Sequence, residues 1–121
     1  MTTLTEGPRT AEYLRSEAND HRSRDVITLA AGVVGTLAAG TVLGKVTASD
    51  TYNVYNPAST DGTQTVAAIL FEAGKAGDKR TATTRDAEVK TAKLVWFAGA
   101  NATQINAGLA ALKALGIIAR S

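Results

Sequence analysis

A chain of 121 residues with 45% hydrophobic and 20% charged residues has the size and mix of one globular domain, not of a wholly disordered segment. It has no cysteine and one histidine, His21, which excludes disulfide frameworks, thiolate nucleophiles, cysteine–zinc centres and multi-histidine metal sites. A formal net charge of +2 with 5% aromatics supplies neither a basic groove nor a stacking platform for nucleic acid.

Residues 1–24 read as one unit, an extended N-terminal arm, and residues 25–121 as a second, the body. Along the arm and its junction, Glu6, Glu12, Glu17, Asp20 and Asp25 alternate with Arg9, Arg15, Arg22 and Arg24. Its sizeable apolar groups are Met1, Leu4, Tyr13 and Leu14, too few to offset a backbone entropy of about 1–2 kcal/mol per ordered residue. The expectation is an arm that stays mobile alone and orders on a partner. A helix over Thr10–Asn19 would be too short to hold without packing. No basic start leads into an apolar core, so the segment does not read as a signal peptide.

Val26 to Gly44 carries no charge and approaches the length of a membrane span, about 20 apolar residues. Gly32, Gly35, Gly40 and Gly44 argue against that helix, each disfavouring it by about 1 kcal/mol relative to alanine. The branched runs Asp25–Leu29 and Thr41–Thr47 read instead as two strands joined through residues 32–40. The same glycines do not form a phosphate loop: Gly35 and Gly40 are followed by Thr41 where lysine is required, and Gly44-Lys45 is followed by Val46.

Asp50–Thr65 is polar, with Tyr52, Val54 and Tyr55 on a short strand or exposed loop, and Asp61-Gly62 gives a hairpin signal. Thr65–Phe71 is an apolar strand buried on both faces, and Glu72–Lys79 a loop. Arg80–Lys90 alternates as one half-exposed strand. Leu94–Phe97 holds the single tryptophan, Trp96, read as a core anchor.

The clearest helix runs from Asn101 to Leu115. Asn101 and Gln104 have capping-box spacing, and Ile105, Leu109, Leu112 and Gly116 form one stripe. Ala107, Ala110, Ala111 and Ala114 keep the remaining surface thin enough for close docking. Gly116 ends the helix, and Ile117–Ala119 returns as a strand.

The fold class is therefore mixed α+β and mainly β: a small strand-rich body with one C-terminal amphipathic helix and an extended N-terminal arm. The candidate catalytic carboxylates are Asp25 and the pair Asp86 and Glu88, which would share a face of the predicted strand. A glycosidase pair would also need a cleft and aromatic platforms, and a solvated face accounts for both acids. No magnesium cage, EF-hand pattern or nucleophile elbow is present. No catalytic, cofactor-binding or metal-binding residue is assigned, and no cofactor or small-molecule substrate is expected.

Five segments together carry a resemblance: Arg24–Gly32, Ala39–Val46, Asp61–Leu70, Arg85–Val89 with Leu94–Trp96, and Leu109–Ile118. In this order and spacing, from about Ser16 to Arg120, the chain resembles the head decoration protein family of tailed bacteriophages, the group that includes the lambda capsid-stabilising protein D. The resemblance implies a non-enzymatic protein, made in the host cytoplasm, that binds the outer surface of the expanded phage head. It implies trimers at three-fold positions that hold neighbouring major capsid protein subunits against the pressure of packaged DNA. Neither a nucleic-acid nor a membrane partner is implied. The family's arm orders on the capsid, and the arm contacts here would be Arg9, Tyr13, Leu14, Arg15, Ser16, Glu17, Arg22, Ser23, Arg24 and Asp25. The competing readings are a holin-like membrane protein spanning at 26–45 and a generic virion adaptor.

Overall fold

Short runs of branched and small apolar residues, broken by glycine and polar turns, favour many short strands over few long ones. The computed structural model describes residues 10–17 and 22–120. Its strands are β1 (Leu14–Glu17), β2 (Arg24–Thr28), β3 (Thr36–Leu37), β4 (Val42–Val46), β5 (Thr51–Val54), β6 (Val66–Leu70), β7 (Gly74–Lys75), β8 (Lys79–Thr83), β9 (Ala87–Lys90) and β10 (Ile117–Arg120). One helix, α1 (Ala102–Ala114), and a 3-10 turn at Thr91–Lys93 complete the body.

The strands form a five-stranded sheet in the order β2-β8-β6-β4-β5, a three-stranded sheet β1-β9-β10, and a two-stranded ribbon β3-β7. The five-stranded sheet is antiparallel throughout and curls until its outer strands meet. Leu29, just past β2, bridges Tyr52 of β5, and the Ala30 N–H donates to the Tyr52 carbonyl at 2.8 Å. In the smaller sheet β9 is central, antiparallel to β1 and parallel to β10.

Two apolar clusters fill the body, and side-chain alternation along the strands divides residues between them. Val42 joins Tyr13, Tyr55, Val66, Ile69, Val89, Leu94, Leu112 and Ile117. Its neighbour Leu43 points the other way, into Ile27, Leu29, Ala30, Val33, Ala68, Leu70 and Ala82. Val66 and Ile69 share a cluster despite an odd separation, because the β4–β6 ladder pairs Leu43 with Ala68 and Gly44 with Val66, skipping Ala67. At this irregularity a side chain on Gly44 would start 2.5 Å from the Thr63 backbone, so only glycine lets the 55–65 segment lie across β4.

Several expectations from sequence hold. β4 and β6 fall inside their predicted runs, β2 overlaps its run but starts one residue earlier, at Arg24, and α1 begins at the Asn101 cap, whose Oδ1 accepts from the Gln104 N–H at 2.8 Å. The reciprocal bond, Asn101 N–H to Gln104 Oε1, is 3.1 Å, which completes the capping box. Gly116 terminates the helix at a φ of 83°.

Others are corrected. The connection expected through residues 32–40 contains a strand, β3, and for the competing reading of a span at 26–45, among the described residues no helix is long and apolar enough to cross a membrane. The loop at 72–79 contains β7, which pairs with β3. The β4–β5 hairpin turns at residues 47–50, while Asp61-Gly62 lies in the following loop, where the Asp61 carbonyl accepts from the Thr47 N–H at 2.9 Å. The Arg80–Lys90 run is two strands in different sheets, broken at residues 84–86, with Asp86 in the left-handed region at a φ of 51°. Ala107, Ala110 and Ala114 face solvent; Gly108 provides the close helix contact instead, beneath Trp96.

Candidate functional site

The predicted arm residues divide sharply once placed in the fold. Arg9 lies outside the described residues. Tyr13 is buried at 1% exposure in the first apolar cluster, with its hydroxyl 2.5 Å from Thr83 Oγ1 of β8. Burial pushes the Tyr13 phenol well above its ordinary pKa, so it stays protonated at every physiological pH. The Ala11 N–H donates to the Phe71 carbonyl at 2.8 Å and the Lys90 N–H to the Tyr13 carbonyl at 2.7 Å, which carry the chain into β1.

The expectation that this segment has too little apolar surface to order is therefore corrected for residues 10–17. One large aromatic with its polar tip satisfied, plus half-buried Leu14 and a ladder to β9, supplies what counting apolar residues missed. Of the helix considered over Thr10–Asn19, the described residues 10–17 are a turn leading into β1, and residues 18–19 lie outside the described residues.

The acidic and basic residues of this region mostly hold one another. Glu17 accepts from Ser23 Oγ at 2.5 Å and from Arg24 Nε at 3.0 Å, with a second bond from Arg24 Nη2. The Arg24 guanidinium also lies 4.3 Å from the Phe71 ring centre, a cation–π contact. Ser23 is fully buried, and its carbonyl accepts from the Thr84 N–H at 2.8 Å.

Asp25 accepts from Arg85 Nη2 at 2.6 Å and from Thr84 Oγ1 at 3.1 Å, and Arg85 Nη1 donates to the Arg22 carbonyl at 2.7 Å. The bond from Arg85 holds the Asp25 carboxyl below the usual carboxylate range. The division expected between residues 24 and 25 thus falls inside β2, whose first residue is Arg24.

Arg15, Ser16, Arg22 and Asp25 are the expected contact residues left exposed. Arg15 Nε stands 3.9 Å from Glu88 Oε2, and Arg120 Nε reaches the same oxygen at 3.3 Å. Sequence reading missed this grouping because residues 15, 88 and 120 meet only through the β1-β9-β10 register.

The carboxylates weighed for catalysis do not converge. Asp86 sits in the bend before β9, while Glu88 is on β9 between two arginines. Among the described residues no group of three or more His, Asp or Glu side chains could hold a metal ion. A surface hollow of about 360 Å³ lies between Asn53, Asn56, Ser59, Asp61, Thr63 and Phe97. Its one carboxylate, Asp61, is occupied by the Thr63 N–H at 3.0 Å and Thr63 Oγ1 at 2.6 Å. These bonds hold the Asp61 carboxyl below its ordinary range and make it a loop-fixing acceptor, not a base.

The architecture is a strand-rich body with one capped helix and a charged face on its smaller sheet. No curated protein matches the chain. The family model described as bacteriophage lambda head decoration protein D matches residues 3–117. With all but a few terminal residues covered, the chain belongs to the bacteriophage lambda head decoration protein D family, a structural family of phage capsids.

Proposed function

We propose that the protein binds the outer surface of the expanded phage head as trimers at three-fold positions and stabilises the shell against packaged-DNA pressure. The observation that carries this reading is the family match over residues 3–117. Its partner is the major capsid protein, its other contacts are with two further copies of itself, and its synthesis is in the host cytoplasm.

Within the arm, the capsid contacts fall to residues ahead of Thr10, Arg9 among them, and to the exposed Arg15, Ser16 and Arg22. Tyr13, Leu14, Ser23 and the Glu17–Arg24 pair act indirectly, by fixing where the arm leaves the body. An extended segment binds by adding main-chain hydrogen bonds to a sheet edge, with modest affinity per copy. Three linked copies raise avidity by about 10²–10⁴.

Deleting residues 2–9 is expected to abolish retention on expanded heads. Electron microscopy of heads with and without the protein is the direct test. Density on the outer surface at three-fold positions supports the proposal; density confined to the tail or portal would replace it with an adaptor role.

A further inference from the structure

The outward face of the three-stranded sheet concentrates charge that its own neighbours leave only partly balanced. Ser16, Glu88 and Ile118 are direct partners across β1, β9 and β10, so they form one row on one face. Two residues further along, Lys90 and Arg120 are direct partners on that same face. Like charges directly opposite on paired strands are destabilising. The register shift between Leu14 and Ser16 brings Arg15 to the same face, beside Glu88. Three cations thus share this face with one carboxylate, and Arg15 and Arg120 approach a single oxygen of it. The resulting excess of two positive charges equals the formal net charge of the whole chain, +2, leaving the remaining residues balanced. Ile118, 38% exposed, lies on the outer strand β10 beside Glu88.

An exposed apolar residue bordered by net positive charge suits docking against an acidic protein surface. The geometry points to this face as a contact for a carboxylate-bearing protein surface, supplied by a subunit of the shell. The opposed Lys90–Arg120 pair is costly in the free protein and is relieved when a partner acid sits between them. β1 forms one side of the face, so the contact is continuous with the proposed contact of the arm that precedes it. The inference rests on the decoration reading and adds to it a second attachment, made by the body itself.

The test is binding of purified protein to expanded heads, wild type against Lys90→Glu and Arg120→Ser, over a range of salt concentrations. Lys90→Glu creates an opposite-charge pair with Arg120, so its melting temperature should equal or exceed that of the wild type. Its affinity for heads should nevertheless fall about tenfold, because the new acid meets the partner's acids. Wild-type affinity should drop as salt rises from about 0.05 to 0.3 M, more steeply than that of Arg120→Ser.

Affinity within twofold of wild type for both variants would overturn the inference. So would a changed number of copies per oligomer, which would make the face a contact between copies. Binding of wild type to duplex DNA that Lys90→Glu abolishes would overturn it in favour of a nucleic-acid partner. Wild-type protein that fails to bind heads at all would remove the decoration reading itself, a result distinct from these.

Discussion

The five-stranded and three-stranded sheets of this small body solve the problem of strand edges in opposite ways. The larger sheet curls until β2 and β5 touch at Leu29 and Tyr52, and it is apolar on both sides of β4 and β6. The smaller sheet keeps β1 and β10 as outer strands, buries one face against α1 and the first cluster, and turns Arg15, Glu88, Lys90 and Arg120 outward. An open sheet edge is a template for pairing with another chain, and charge beside it limits which chain is accepted. The closed sheet is thus scaffold, and the open one presents the surface that can act.

The two sheets meet in the first apolar cluster, and breaking contacts there should show how far each depends on the other. The largest effect is expected for Tyr13→Ala, which empties a buried site and strips Thr83 of its hydroxyl partner. By analogy with other aromatic truncations the loss should be about 3–5 kcal/mol, read as a lower urea midpoint. If β1 were merely laid on a self-sufficient body, that midpoint would not move.

A smaller effect, of unusual sign, is expected for Gly108→Ala. In an open helix the change would stabilise by about 1 kcal/mol. Here the new Cβ would start 2.3 Å from Trp96 Cζ3, so the indole must move off the helix. The expected net result is a destabilisation of about 1–3 kcal/mol, with a shifted emission from the single tryptophan. Trp96 also meets the Tyr55 ring edge-on, at 6.2 Å between centres and 72°, so the disturbance should reach the first cluster and spare the second.

The smallest effect is electrostatic and sits at the bend joining β8 to β9. Asp25 has a folded pKa held below its unfolded one, so its pairing with Arg85 stabilises above the ordinary carboxylate value and is lost as pH falls through the folded value. Arg85→Ala should therefore lower stability at neutral pH by no more than about 1 kcal/mol, since both side chains are nearly half exposed. The difference between wild type and variant should close below about pH 4 in thermal melts. A difference that persisted at pH 2 would mean that Arg85 acts through its bond to the Arg22 carbonyl instead.

Much of the fold was legible where the signal is local. The Asn101–Gln104 box, the Gly116 stop and the branched runs of β2, β4 and β6 each act within a few residues, so reading them needs no knowledge of partners. The break at residues 84–86 was hidden because alternation continues smoothly through Arg80–Lys90. Only the bonds from Thr84 to the Ser23 carbonyl and from Arg85 to Asp25 divert the chain into a second sheet. The fate of Tyr13 was hidden for a related reason. Its burial depends on Thr83, seventy residues away in sequence, and the composition around it is that of a solvated tail.

The amino-acid order alone therefore determined the strand-rich class, the capped helix and the likeness to phage head decoration proteins, because propensity, capping and motif order are written in neighbouring residues. Tertiary structure decided that residues 10–17 belong to the body and that Arg15, Glu88, Lys90 and Arg120 share one face. The physical reason is that burial and charge juxtaposition are set by strand register, and register is fixed by contacts between residues far apart along the chain.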